Sequence, residues 1–135
     1  MPFVLDASVA LSWAFPDERN QTALRAEQLL QTEDESALAP ALWWYEVRNI
    51  LIVNERRGRI TAAGTALYLR EIAGLRIVID AAQDDRLLLD LARQTRLTVY
   101  DAAYLDMAIR ERLPLATLDK ALQAAALAMG VPLLV

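Results

Sequence analysis

The chain has no cysteine and no histidine. The first absence excludes disulfides, thiolate metal sites and thiol nucleophiles; the second excludes every mechanism built on imidazole as acid, base or metal ligand. Catalysis, if any, has to run on carboxylates. Lysine is nearly missing too: of the 14 cationic residues only Lys120 is not arginine. That bias is compatible with phosphate recognition by planar guanidinium forks, and equally with codon preference in a chain rich in alanine and leucine. Asp and Glu total 18, for a net charge of -4. Such a balance argues against indiscriminate binding to nucleic acid but leaves room for a local basic patch. Hydrophobic residues make up 56% of the chain, yet no long apolar run exists. The longest uncharged stretch, Ala121 to Val135, is interrupted by Gln123, Gly130 and Pro132 and falls short of the ~20 residues a spanning helix needs. Met1 to Ser8 lacks a basic segment and carries Asp6, so no signal peptide is expected and a cytoplasmic location follows.

A length of 135 residues suits one domain spanning the whole chain. Along it, short apolar runs alternate with helical periodicity. Strands are expected at Phe3 to Leu5, Ala37 to Ala39, Arg76 to Ile79, Leu115 to Leu118 and Val131 to Val135. Helices are expected over Ala7 to Phe15, Asp17 to Gln31, Pro40 to Arg57, Thr61 to Ala73, Ala82 to Gln94, Asp101 to Arg112 and Asp119 to Met129, with the polar stretch Gln31 to Ser36 as a connection. Glycines at 58, 74 and 130 mark helix ends. The strands are apolar throughout rather than alternating, the pattern of a parallel sheet covered on both faces. The fold class is therefore α/β.

Asp6, Asp119 and, less sharply, Asp101 fall where the chain enters a helix. That edge of an open parallel sheet is where ligands bind. Aspartate is also a favoured N-cap, and for each of the three taken alone capping is the better account. Glu46 lies mid-helix, where capping cannot explain it; a solvated residue paired with Arg48 or Arg57 is its simplest reading. Val47, Ile50, Leu51 and Trp43 form the apolar stripe of that helix, while Glu46 and Asn49 share an adjoining face.

Taken together these residues form a pattern. Leu5-Asp6-Ala7-Ser8, Pro40 with Glu46-Val47-Arg48-Asn49, Tyr100-Asp101-Ala102-Ala103-Tyr104, and Thr117-Leu118-Asp119 resemble, in order and spacing over the whole chain, the PIN domain and within it the VapC-type toxins of toxin–antitoxin pairs. The resemblance implies a three-layer α/β/α domain around a parallel sheet of about four or five strands. It implies that Asp6, Glu46, Asp101 and Asp119 cluster to hold Mg²⁺ or Mn²⁺, with Asp6 and Asp101 as direct ligands. Ser8 and Thr117 then correspond to the family's hydroxyl partners of the acids, and Asn49 to its orienting amide. It further implies a metal-dependent endoribonuclease that uses a metal-activated water, a small VapB-like antitoxin as partner and a homodimer as assembly. Asp106 departs from the family's small apolar residue; five positions beyond Asp101, about 140° round a helix, it is expected on the surface.

Hard divalent cations prefer carboxylate oxygens, so the chemistry suits the residues. Arg48, Arg56, Arg57, Arg59, Arg110 and Arg112 are candidates to hold RNA phosphates, although solvated charges are the simpler reading of each. Trp43, Trp44 and Tyr45 are consecutive, point about 100° apart around one helix and cannot all face one core. Two rival functions stand beside the nuclease: a catalytically silent PIN-like interaction domain, and a phosphoryl-transfer enzyme with Asp6 as aspartyl nucleophile. The latter chemistry usually has a second Asp two residues on, where this chain has Ser8.

Overall fold

The structure, a computed structural model, describes every residue except Glu33. Three consecutive apolar residues form β1 (Phe3–Leu5), fully buried. Ala37–Pro40 forms β2, Ile77–Asp80 β3 and Leu115–Ala116 β4. All pair in parallel, in the order β3-β2-β1-β4, so β1 and β4 lie side by side at the centre of chain reversal. Helices α1 (Ala7–Ser12), α2 (Gln21–Leu30), α3 (Ala41–Arg56), α4 (Ala62–Ala73), α5 (Asp85–Thr95), α6 (Val99–Glu111) and α7 (Lys120–Ala128) complete the chain. α3 packs on β2 and β3, and α6 on β1, β2 and β4. This is the expected three-layer α/β class with a four-stranded parallel sheet. Among the described residues no helix is long and apolar enough to cross a membrane.

The core is built where these layers meet, with Phe3, Leu5, Val47, Leu51, Tyr104, Leu105 and Leu122 all removed from water. Burying a large apolar side chain contributes about 1.5–3 kcal/mol. The buried stripe of α3 consists of the apolar Trp43, Val47 and Leu51 and the polar Asn54; Ile50, expected in it, is exposed. The aromatic run divides as its angular spacing requires. Trp43 is buried, Trp44 and Tyr45 are 45% and 71% exposed, and Arg48 lies 3.7 Å over the Trp44 ring.

Several expected boundaries moved. α1 stops at Ser12, because Pro16 opens a 3-10 turn over Pro16–Glu18 and forces Phe15 into an extended conformation at φ -125°. The next helix begins later than expected, at Gln21, where the Asn20 side chain accepts from the Ala23 N–H at 2.8 Å. The polar connection from Gln31 to Ser36 includes Glu33, which lies outside the described residues. α6 begins at Val99, capped by Thr98. β4 is two residues shorter than expected at its C-terminal end, since Thr117 and Leu118 turn their polar groups to the network described below. No strand forms over Val131 to Val135: Gly130 takes φ +76° and Pro132 has no N–H to donate, which leaves a single bridge between Leu115 and Leu133. Finally, β3 is an edge strand on which Val78 and Ile79 are 53% and 40% exposed, so helices do not cover every strand.

Candidate functional site

β1 and β4 run in register with Leu5 opposite Ala116, which sets Asp6 and Thr117 beside each other at the carboxyl ends of the two strands. The sheet order reverses between these strands, and in open parallel sheets that is where ligand crevices open. Asp6 leaves β1 with its side chain buried. Its Oδ2 accepts hydrogen bonds from Ser8 Oγ and Thr117 Oγ1, both at 2.7 Å. The two hydroxyls are themselves fixed: the Leu118 N–H donates to Ser8 Oγ at 3.0 Å and the Asp119 N–H to Thr117 Oγ1 at 3.1 Å. Gln123 Nε2 holds the Thr117 carbonyl at 2.8 Å. One carboxylate thereby locks the start of α1 to the loop entering α7.

Glu46 reaches the same end of the sheet from α3, and Tyr104 donates to its Oε1 at 2.5 Å. Asp101 stands in the first turn of α6 and Asp119 at the N-cap of α7. These acids act on one another. Burial first, then the nearby Asp119 charge, raises the Asp6 carboxyl, while Ser8, Thr117 and the Ala7 N–H work the other way. Burial chiefly, with Asp6 and Asp101 adding to it, raises Glu46 against the opposing Tyr104 bond. Asp101 is raised by burial, Asp119 and Asp6, against its hydrogen bond with Thr98. Among the described residues no cationic side chain acts on any of the three.

Capping accounts for only one of the acids. Asp6 makes no side-chain cap bond. Asp101 is not a cap at all, since Thr98 fills that place and receives the Asp101 N–H at 3.1 Å. Asp119 does cap, accepting from the Leu122 N–H at 2.9 Å, an interaction worth about 1 kcal/mol.

Hydrogen bonds join Asp6, Ser8 and Thr117, and Glu46, Asp101 and Asp119 lie near enough for their charges to bear on Asp6 or on one another; Asn49 is exposed and makes no hydrogen bond with them. Asp106 is not on the open surface as expected: its side chain is 14% exposed and lies 3.5 Å from Arg110 Nε. Of the candidate arginines, Arg48 is stacked on Trp44, and Arg59 is tied to Asp17 and Asn54 while lying over the Phe15 ring. Arg56 and Arg57 are exposed, but roughly 15 Å along α3 from Glu46 at 1.5 Å per residue. The residue that sequence reasoning left without a role is Tyr104. Its place three positions after Asp101, on the same helical face, was the available signal.

The donor set is entirely oxygen, and among the described residues no cation acts on Asp6, Glu46 or Asp101, which is the chemistry a hard divalent cation fits. Among the described residues no three acidic side chains form a ready-made metal cage. Mg²⁺ in particular keeps several waters and does not require a closed protein cage.

The raised carboxyls carry a stability consequence. A carboxyl raised in the folded state holds its proton more tightly there than in the unfolded chain. Its stabilising contribution is present below the ordinary values, 3.8 for Asp6 and Asp101 and 4.5 for Glu46, and is lost as pH climbs through the folded values. In chelator, Asp6→Asn should therefore gain in melting temperature over the unaltered protein as pH rises from below 3.8, the ordinary value, to neutrality. A gap that stays constant or shrinks would contradict it.

Comparison with known proteins agrees with this architecture. A family model described as the PIN domain matches residues 3–127. No curated protein sequence matches. Among solved structures, PAE2754 from Pyrobaculum aerophilum is similar at TM-score 0.72 and 24% identity, over 93% of this chain and 84% of that one. The Mycobacterium tuberculosis toxin VapC20 (Rv2549c), a sarcin-ricin loop cleaving toxin, is similar at TM-score 0.62 and 11% identity, over 93% of this chain and 95% of that one.

Proposed function

Since this chain belongs to the PIN-domain family, we propose that it is a divalent-metal-dependent endoribonuclease, the toxin of a toxin–antitoxin pair, formed by a single domain over its whole length. The observation that carries the reading is the convergence of Asp6, Glu46, Asp101 and Asp119 with no neutralising cation among the groups that act on them. Mg²⁺ is the proposed ion, with Mn²⁺ able to replace it, held by these four side chains. When bound, it supplies Lewis acidity and an activated water for phosphodiester hydrolysis. The chain's own residues do the rest. Ser8 and Thr117 fix the Asp6 carboxylate, and Tyr104 fixes Glu46. The double hydroxyl grip on Asp6 Oδ2 also disfavours the rival reading, in which that carboxylate attacks phosphorus, because two hydrogen bonds fix it against the movement attack requires.

Attack by water should leave a 5′-phosphate and a 3′-hydroxyl, because no imidazole pair is present to drive the ribose 2′-hydroxyl onto phosphorus. End-labelling the products of an RNA digest tests this; 2′,3′-cyclic phosphate ends would contradict it.

A small partner protein of the antitoxin kind is proposed to hold the enzyme inactive. Supporting it is an apolar cleft of about 470 Å³ beside Ser8, lined by Leu11, Phe15, Ile50 and Leu118. An arginine of the partner would match carboxylate geometry and compete with the ion for Glu46, Asp101 or Asp119. By linkage, partner affinity should then fall as Mg²⁺ rises; inhibition with an affinity indifferent to Mg²⁺ would place the partner elsewhere. The exposed Trp44 and Tyr45 support pairing with a second copy, and light scattering of the free protein in the same titration reports it.

A further inference from the structure

Tyr104 is among the largest fully buried side chains of the molecule, yet it ends in a hydroxyl that bonds to a group at the catalytic end of the sheet. From α6 it crosses to α3 and donates to Glu46 Oε1, joining residues 58 positions apart. The Ala7 N–H, at the head of α1, bears on both the Tyr104 oxygen and the Asp6 carboxylate. The phenol therefore ties α6, the helix that carries Asp101, to α3, the helix that delivers Glu46. Burial first, then the charge of Asp6 and the bond to Glu46, pushes its ionisation far above the ordinary tyrosine value, so it remains a donor at any working pH.

Glu46 needs such an anchor. A glutamate side chain free to turn has several rotamers to lose on being fixed. Glu46 is only half-buried, and the charges of Asp6 and Asp101 disfavour its ionised form. Swinging outward into water would relieve that repulsion. The Tyr104 bond opposes it, favouring the charged carboxylate in its inward position.

We propose that Tyr104 is a positioning residue of the acidic centre, holding the Glu46 carboxylate toward Asp6 and Asp101 so that a divalent cation meets a preformed set of oxygens. This deepens the metal-dependent reading above and rests on it. Partners that orient metal ligands through hydrogen bonds typically account for roughly 10–100-fold in metal affinity or activity.

The test is a double-mutant cycle on the full chain with Tyr104→Phe and Glu46→Gln, read by calorimetric binding of Mg²⁺ and Mn²⁺ without RNA. Phenylalanine keeps the buried ring, and the freed Glu46 oxygen can turn to water, so the apo melting temperature should change little. Binding should weaken roughly tenfold or more in Tyr104→Phe. Adding Tyr104→Phe to Glu46→Gln should cost nothing further, because the residue acts through Glu46. Unaltered binding in Tyr104→Phe, or losses that multiply in the double variant, would overturn the proposal as a packing effect only. Should Tyr104→Phe not fold, Glu46→Asp draws the carboxylate back by one methylene while leaving Tyr104 in place. Weakening of similar size is expected there, and its absence overturns the proposal equally. If the unaltered protein itself takes up no divalent ion, the metal-dependent reading falls and this role with it; binding that persists through the cycle removes only the role of Tyr104.

Discussion

Asp6→Asn should reduce RNA cleavage by at least about a hundredfold while leaving the metal-free protein as stable as before or more so. The loss follows from charge. Lewis-acid stabilisation of a transition state is worth several kcal/mol, each 1.4 kcal/mol is about tenfold in rate, and an amide in place of Asp6 weakens the hold on the ion that provides it. The stability follows from burial. Asp6 is raised by desolvation and by Asp119, so its ionised form is a cost to the apo fold at neutral pH. Asparagine keeps an oxygen for the Ser8 and Thr117 hydroxyls and removes the charge. Asp101→Asn should behave alike, since its own carboxylate caps no helix. Asp119→Asn preserves an N-cap as good as aspartate and so isolates the role of charge at that position. Melting curves in chelator, beside cleavage rates with Mg²⁺, measure both effects. A large loss of melting temperature in metal-free Asp6→Asn would show a structural carboxylate rather than a catalytic one.

What could be read from the sequence divides along the range of the interactions. β1 and the place of Asp6 at its end were legible because three apolar residues ending in an acid are a local pattern, and Asp101 and Asp119 were readable near helix starts; Glu46, in the middle of α3, was singled out only by the resemblance to the PIN domain. Helix ends that depend on neighbouring side chains were less so: Pro16 acts backward on Phe15 to stop α1 early, an effect of the residue before proline. The early end of β4 could not be read from Leu115 to Leu118 alone. It depends on Ser8, 110 positions away, which accepts the Leu118 N–H, and on Gln123, which donates to the Thr117 carbonyl; both backbone groups are thereby taken out of the ladder. The same holds for Tyr104, whose apolar neighbours Leu105, Met107 and Ala108 mark it as core, while its hydroxyl acquires a role only once α3 lies beside it. Helical periodicity alone also misassigned Ile50 and Asp106. The first faces the cleft beside Ser8 and the second a recess with Arg110, both determined by which helices happen to be adjacent.

Removing divalent metal should abolish activity, the larger of the two effects. The cluster offers carboxylates, hydroxyls and a phenol, and with no histidine or cysteine in the chain activation of the attacking water falls to the bound ion rather than to an imidazole or a thiolate. The same reasoning predicts a stabilising ion. Burial and mutual repulsion raise Asp6, Glu46 and Asp101, and a bound cation offsets both. At a hundredfold excess over its dissociation constant an ion that binds only the folded chain adds about 2.7 kcal/mol of stability. That gain should fade toward acid pH, as protons compete for the same oxygens. The most direct measurement is cleavage of RNA by purified, partner-free protein in excess EDTA and again after Mg²⁺ is restored. The account predicts intact RNA in EDTA and cleavage on adding Mg²⁺ or Mn²⁺; RNA cut equally well in both conditions would contradict it.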